Sequence, residues 1–337
     1  MPKESKKQNL LIPPNSLSSH GKTTEKLGRL DSNPILMEKL LPFCRLKYGE
    51  IWEDPVLGHR IGVLDATSKK DLETILGEEK VDLVVNDPPY NIGVGKKATP
   101  SLFEQSLEDY LCFSRQWLQN VSSFLRDKAH LYIWMGAHYK NHFQPLPDFM
   151  LLMREFPEFK ARNLITLRNQ RGYGTSKNWM WVRQELLHYT KGDPFFQVVY
   201  TDIPKVLQGY YKKVKGEVKD NLERSKSSTI RPGNVWIDIQ QVFYRMEENV
   251  PGCYAQKPLK AILRILESSS KEGQNVLDMF AHSGTTLLAG ELLKRRVFTF
   301  DLNPVFAEIT LRRLERLRKE RKKGWQWQNP FPEIDSD

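Results

Sequence analysis

Apolar residues in this chain fall into short dense runs separated by longer stretches with a 3–4 repeat. From residue 59, HRIGVLDATSKKDLETIL predicts a short strand, a turn at Asp65, and a helix with Leu72, Ile75 and Leu76 on one face. VDLVVN (81–86) and AHLYIWMG (129–136) are almost wholly apolar, the pattern of strands covered on both faces in a parallel sheet. Between them, 105–125 predicts a helix carrying Leu107, Leu111, Trp117, Leu118 and Phe124. A helix is expected over 145–158, with strands at 163–169 and 185–190. The alternation lapses over 198–250. It resumes as a helix (256–270), strand (275–280), helix (285–296), strand (297–303) and helix (304–323). Such alternation predicts a three-layer α/β fold around a mainly parallel sheet, with 198–250 as an insertion. The expected divisions are a polar arm (1–40), a first half (41–197), the insertion (198–250), a second half (251–323) and a tail (324–337). Residues 311–323, LRRLERLRKERKK, are expected to be a solvated helical face, with phosphate contact as the alternative.

Composition narrows the classes. The 337 residues are 39% hydrophobic, enough for a packed core, and no apolar run approaches the ~20 residues a membrane span needs. The polar N-terminus lacks the apolar centre of a signal peptide. Three scattered cysteines (Cys44, Cys112, Cys253) argue against a disulfide framework or a metal cage, so no metal is expected and the setting is reducing and intracellular. Net charge is +10. Residues 205–231 concentrate eight Lys/Arg, including Lys212, Lys213, Lys215 and Arg231, against Glu217, Asp220 and Glu223. A solvated loop and a phosphate-contact surface both fit that run.

Two strand ends carry candidate chemistry, because ligands of open α/β sheets sit at the carboxyl ends of strands. In NVLDMFAHSGTT, Asp278 precedes a turn through Ser283 and Gly284, and Thr285 and Thr286 begin a helix whose free N–H groups face outward. The next strand ends at Asp301, placed to hold ribose hydroxyls. An ordinary strand–helix–strand crossover is the plainer account. In VVNDPPYNIG, Pro88 and Pro89 turn the backbone off the sheet. They leave the Asp87 carboxylate, the Pro88 carbonyl and the ring of Tyr90 together, a set suited to gripping an –NH₂ group on an aromatic ring.

NDPPYNIG followed downstream by DMFAHSGTT resembles the amino-DNA methyltransferases that use S-adenosyl-L-methionine (SAM), in the circularly permuted β class. The resemblance spans about residues 58–316 and implies a Rossmann-like methyltransferase fold with a target-recognition segment at 198–250. QKPLKAI (256–262) resembles the helix before the SAM strand, which implies that Lys257 lies near the methionine carboxylate. The implied catalytic residues are Asp87, Pro88, Pro89 and Tyr90. The implied cofactor residues are Asp65, Lys257, Asp278, Phe280, Ala281, His282, Ser283, Gly284, Thr285, Thr286 and Asp301. For Asp65, capping the next helix is the alternative. Asp at the first position of the tetrapeptide resembles adenine-N6 enzymes more than cytosine-N4 ones. The usual Phe-x-Gly-x-Gly reads Phe280-Ala281-His282-Ser283-Gly284, so a His side chain must either touch the methionine moiety or point away from it. The implied partner is double-stranded DNA, contacted by Tyr173, Lys177, Lys212, Lys213, Lys215 and Arg231. Trp179 and Trp181 are either base contacts or core. A second copy of the chain and a cognate restriction endonuclease are further candidate partners, and the setting implied is the bacterial cytoplasm.

Overall fold

A computed structural model describes residues 27–90, 106–136, 145–173, 176–177, 179–204, 211–220, 227–242 and 245–335. In chain order these form α1 (Pro34–Leu40), β1 (Ile51–Glu53), β2 (Arg60–Val63), α2 (Lys69–Leu76), β3 (Val81–Asn86), α3 (Leu107–Phe124), β4 (Leu125–Met135) and α4 (Pro145–Leu152). Then follow β5 (Phe159–Tyr173), β6 (Trp181–Lys191), β7 (Tyr211–Val214), β8 (Glu217–Asp220) and β9 (Val235–Trp236). The chain closes with α5 (Leu259–Ser269), β10 (Asn275–Asp278), α6 (Thr285–Leu293), β11 (Arg296–Asp301) and α7 (Pro304–Glu320).

Nine strands make one sheet in the order β1-β2-β11-β10-β3-β4-β6-β5-β9. The five from β2 to β4 are parallel, whereas β6 runs antiparallel to both β4 and β5. Side-chain alternation along each apolar strand builds the layers. Val84, Leu131, Ile133, Leu277 and Phe298 pack against Leu72 and Ile75 of α2, Trp117 and Leu118 of α3, and Phe149 of α4. Leu83, Val85, Ile61 and Val276 face Ile262 and Leu266 of α5, Leu287 and Leu288 of α6, and Leu311 and Leu314 of α7.

From β10 the chain crosses to β11, and from β3 to β4, on opposite sides of the β10–β3 pair. The carboxyl ends of these two strands therefore frame the crevice of a topological switch point. The Asn86 side chain spans it, accepting the Met279 N–H at 3.1 Å.

Several boundaries differ from expectation. The helix expected over 145–158 stops at Leu152, continues as a 3-10 turn to Glu155, and yields to β5 because Pro157 disfavours helical geometry in its predecessor. The insertion is a separate β7–β8 ribbon plus β9, which adds to the main sheet beside β5. The arm and the tail share a small core: Leu27, Leu30 and Leu40 pack with Trp325, Phe331, Phe306 and Ile309. The solvated face expected at 311–323 is corrected in part, since Leu311, Arg313, Leu314 and Leu317 are buried on α7. No described helix is long and apolar enough to cross a membrane.

Candidate active site

A cavity opens at the switch point. Asp87 and Val85 enter it from β3, Trp134 from β4, Lys257 and Ile262 from α5 and its approach, and Asp278 with residues 280–283, Thr285 and Thr286 from the β10–α6 turn. The two strand ends picked out in the sequence thus line one space.

The β10–α6 turn is tightly specified. Gly284 sits at φ +71°, and a Cβ there would lie 2.9 Å from the Thr310 side chain, so glycine is required on both counts. His282 is also left-handed, at φ +44°, a conformation that costs a non-glycine residue roughly 1–2 kcal/mol. Its ring turns to the N-terminal segment: Nε2 lies 3.2 Å from Asp31 Oδ1, and the ring packs 4.7 Å from that of Phe306. Its N–H donates to Asp301 Oδ2 at 2.9 Å, while Asp301 Oδ1 accepts from Asn303 at 3.0 Å. Asp301 therefore braces the turn from the end of β11. Burial raises its pKa against those two N–H donors.

Beneath the turn runs Arg313 of α7, with no exposed surface. Its guanidinium donates to the carbonyls of Ser283 (2.7 Å), Lys323 (2.8 Å) and Glu248 (3.1 Å) and to Thr285 Oγ1 (3.0 Å). Burial lowers its pKa to about 10, partly opposed by the charge of Glu248.

Asp278 is the most perturbed carboxyl in the cavity. Burial pushes it up to about 7, against hydrogen bonds from Thr286 and the Phe280 N–H, and the charges of Asp87 and Asp301 push the same way. Phe280 is wedged edge-on against Trp117 at 5.9 Å and Phe113 at 6.2 Å, which fixes the loop that carries it.

Across the cavity, Asp87 is held by two donors. The Tyr90 hydroxyl binds Oδ1 and the Lys257 ammonium binds Oδ2. Lys257 lies 5.4 Å from the Tyr90 ring centroid and 5.5 Å from that of Trp134. Pro88 and Pro89 follow Asp87 outside any strand or helix and are not among the lining residues.

Asp65 takes a local part. Its Oδ1 accepts both the N–H and the hydroxyl of Thr67 at 2.8 Å, closing the turn before α2, and Ser68 is the helix cap. Lys177, Lys215 and Arg231 are exposed and outside the cavity lining. For Tyr173, Lys212, Lys213 and Trp181 the backbone lies in β5, β7 and β6, and their side chains fall outside the described residues. Trp179 is 95% exposed, which removes its core alternative. It sits where the β5–β6 hairpin runs on past the Met135–Glu185 pair, beyond the carboxyl end of β4. Sequence reasoning missed Trp134, Arg313 and Asp31. Arg313 did carry a signal, a charge among Ile309, Leu314 and Leu317 on the apolar face of its helix.

Among the described residues, Asp54, His59 and Glu291 form a grouping with metal-ligand character. The Arg318 guanidinium already bridges it, at 2.6 Å from Asp54 Oδ1 and 2.7 Å from Glu291 Oε2.

A family model described as DNA methylase, covering the N6 and N4 methyltransferases, matches residues 81–312, more than half of the chain. The chain belongs to this family. It is 28% identical over 240 residues to the Type II methyltransferase M.HpaI of Haemophilus parainfluenzae, across 71% of this chain and 70% of that protein. It is 29% identical over 251 residues to the DNA adenine methyltransferase YhdJ of Escherichia coli K12, across 70% and 77%. Its fold resembles that of PvuII DNA methyltransferase, named as cytosine-N4-specific, with TM-score 0.53, 15% identity, and coverage of 80% and 89%. As a DNA methyltransferase of the N6/N4 family it uses SAM, and β3, which leads into Asp87, precedes β10, which ends at Asp278, in the permuted order.

The residues present fit that cofactor. Asp278 is a buried carboxyl with a raised pKa and no cationic partner among the described residues, a site for an ammonium group. Among the described residues Lys257 is the only Lys or Arg lining the cavity, and it suits a carboxylate.

The strained His282 turn yields a testable consequence. Burial opposes protonation of His282, but the hydrogen bond and charge of Asp31 win and raise its pKa. Asp31 is lowered by the same contact despite its burial. The His282 contribution is complete below its unfolded pKa near ~6.5 and is lost as pH rises through the raised value. The Asp31 contribution is present above ~3.9 and is lost as pH falls through the lowered value. The Tm deficit of Asp31→Asn, read by thermal melts, is therefore expected to be largest between about pH 4 and 6.5 and to shrink in alkali. A deficit independent of pH would refute the pairing.

Proposed function

We propose that the protein methylates the exocyclic N6 of an adenine flipped out of duplex DNA, with cytosine N4 as the alternative target. The observation that carries the reading is Asp87 at the end of β3, facing the same cavity as Asp278 and the start of α6. Aspartate rather than serine at this position favours adenine over cytosine.

The lone pair of a base amino group is delocalised into its ring, so the nitrogen is a weak nucleophile. Asp87 and the Pro88 carbonyl accept its two hydrogens, favour a pyramidal nitrogen, and stabilise the positive charge that grows on it. SAM supplies an electrophilic methyl on a sulfonium. Transfer would form the N–C bond as the C–S bond breaks, releasing S-adenosylhomocysteine, and the nitrogen would then lose a proton, with the Asp87 carboxylate beside it as acceptor. Positioning supplies most of the remaining rate. No cysteine nucleophile enters: burial pushes the Cys253 thiol far up, and Cys44 is raised to about 12, chiefly by burial. Within the pocket, Phe280, Ser283, Thr285 and Thr286 line the proposed cofactor side together with His282, whose Nε2 is turned to Asp31. Asp301, at the end of β11 and bonded to the His282 N–H, is the proposed acceptor for the ribose hydroxyls, whereas Asp65 closes the turn before α2.

DNA must cross the carboxyl ends of the strands to deliver a flipped base. The projecting β5–β6 hairpin, with Tyr173, Lys177 and exposed Trp179, and the basic β7–β8 ribbon, with Lys212, Lys213 and Lys215, stand as its contacts, with Arg231 beyond them. A cognate restriction endonuclease and a second copy of the chain are the further proposed partners.

Plasmid methylated in vitro, digested to nucleosides and analysed by mass spectrometry, should yield N6-methyladenine, and single-molecule sequencing should locate the site. N4-methylcytosine would transfer the reading to the alternative, and unmodified DNA would sink both. Asp278 sets the pH dependence. Its acid form dominates below about pH 7 in the free protein, and only the carboxylate pairs with an ammonium. S-adenosylhomocysteine affinity should therefore fall, towards ~10-fold per pH unit, as pH drops below that value. Calorimetry across the range, with Asp278→Asn flattening the slope, checks this.

A further inference from the structure

Both oxygens of Asp87 are engaged in the free chain, one by the Tyr90 hydroxyl and the other by the Lys257 ammonium. An incoming amino group needs one of these oxygens, beside the Pro88 carbonyl. Lys257 is itself well seated: its side chain is 8% exposed, and its ammonium lies within 5.5 Å of two aromatic ring centroids, Tyr90 and Trp134, and 3.4 Å from the Ala255 carbonyl. A base amino group and Lys257 therefore compete for one carboxylate.

The cavity also fixes what can take Lys257 away. Among the described residues its lining offers two carboxylates, Asp87 and Asp278, and a single ammonium, while the His282 ring is committed to Asp31. A zwitterionic amino-acid ligand thus has one cation for its carboxylate, and that cation is Lys257. Lysine suits the exchange, since its charge rides on a flexible four-carbon stem.

We propose that Lys257 is shared between the two substrates. It occupies Asp87 until the cofactor's carboxylate is present, then moves to that carboxylate and leaves Asp87 open to the base. The inference rests on the proposed methyl-transfer reading and adds an order to it. Cofactor and flipped base bind with positive coupling, and linkage requires the coupling to be reciprocal. The exchange also removes a positive charge from beside the nitrogen where positive charge must develop.

The test uses the intact protein and a duplex with a fluorescent base analogue at the mapped target, titrated alone, with saturating S-adenosylhomocysteine, and with S-adenosylhomocysteine lacking its carboxylate. S-adenosylhomocysteine is expected to lower the midpoint of the flipping signal by about 5–150-fold, and the decarboxylated compound to leave it unchanged. Lys257→Met should flip the base without cofactor and show no cofactor dependence. The wild-type comparison stands even if that variant fails to fold. Equal midpoints in all three wild-type titrations, with S-adenosylhomocysteine binding intact by calorimetry, would overturn the sharing of Lys257 and leave the methyl-transfer reading standing. Absence of both cofactor binding and flipping would overturn the two together.

Discussion

Asp87→Ala should lose at least ~10²–10³-fold in methyl transfer, the scale of removing one group that stabilises developing charge, while duplex binding measured by anisotropy stays near wild type. The residue lies at the floor of a cavity, 20% exposed in its side chain, away from the surface that phosphates reach. The loss should exceed that of a single hydrogen bond, because Lys257 would remain beside the reacting nitrogen without its counter-charge and would oppose the positive charge forming there. Removing its competitor also leaves Lys257 fully available to a carboxylate. S-adenosylhomocysteine should therefore bind Asp87→Ala as tightly as wild type, or tighter. Asp87→Asn, which keeps one acceptor oxygen, should fall between the two in rate. Activity within tenfold of wild type in the alanine variant would remove Asp87 from the chemistry.

Arg313→Met should carry the second large effect, on stability and cofactor affinity together. The methionine fills most of the volume but leaves the carbonyls of Ser283, Lys323 and Glu248 and the Thr285 hydroxyl without this donor. Stranding buried polar partners costs on the order of 3–5 kcal/mol where a buried charge network is broken. Chemical denaturation should show this as a lower midpoint. Two of those partners belong to the β10–α6 turn, so S-adenosylhomocysteine affinity should fall with stability. Arg313→Lys should recover little of either, since one ammonium cannot span four oxygens set around a planar fork. A variant stable within 1 kcal/mol of wild type would show that water replaces the guanidinium.

The parallel core strands were legible in the sequence because burial on both faces demands continuous apolar runs. VDLVVN became β3 with its predicted limits, residues 81–86. The strands β5 and β6 were legible only in their buried middles. Beyond them 163–169 grew to 159–173 and 185–190 to 181–191: Lys160 and Ala161 pair with β6 inside the sheet, but with Arg162 they are exposed and carry no apolar run, and the other ends run on past the Met135–Glu185 pair. The arm and tail read as polar appendages because Leu27, Leu30, Trp325 and Phe331 are isolated in sequence and make a core only together.

For the site, local sequence determined the two strand ends and their chemistry: a carboxylate ahead of two prolines, and a glycine-containing turn entering a helix. Those are backbone properties of a few consecutive residues, so they survive without knowledge of the fold. Tertiary structure alone decided what faces what. It brought Lys257 across 170 residues onto Asp87 and joined Asp31 to His282 across 251. It also ran Arg313 beneath the turn from 30 residues away. Such pairings follow from strand order and helix packing, where the charge of a side chain is known from sequence but its partner is whichever group the closed fold leaves within reach.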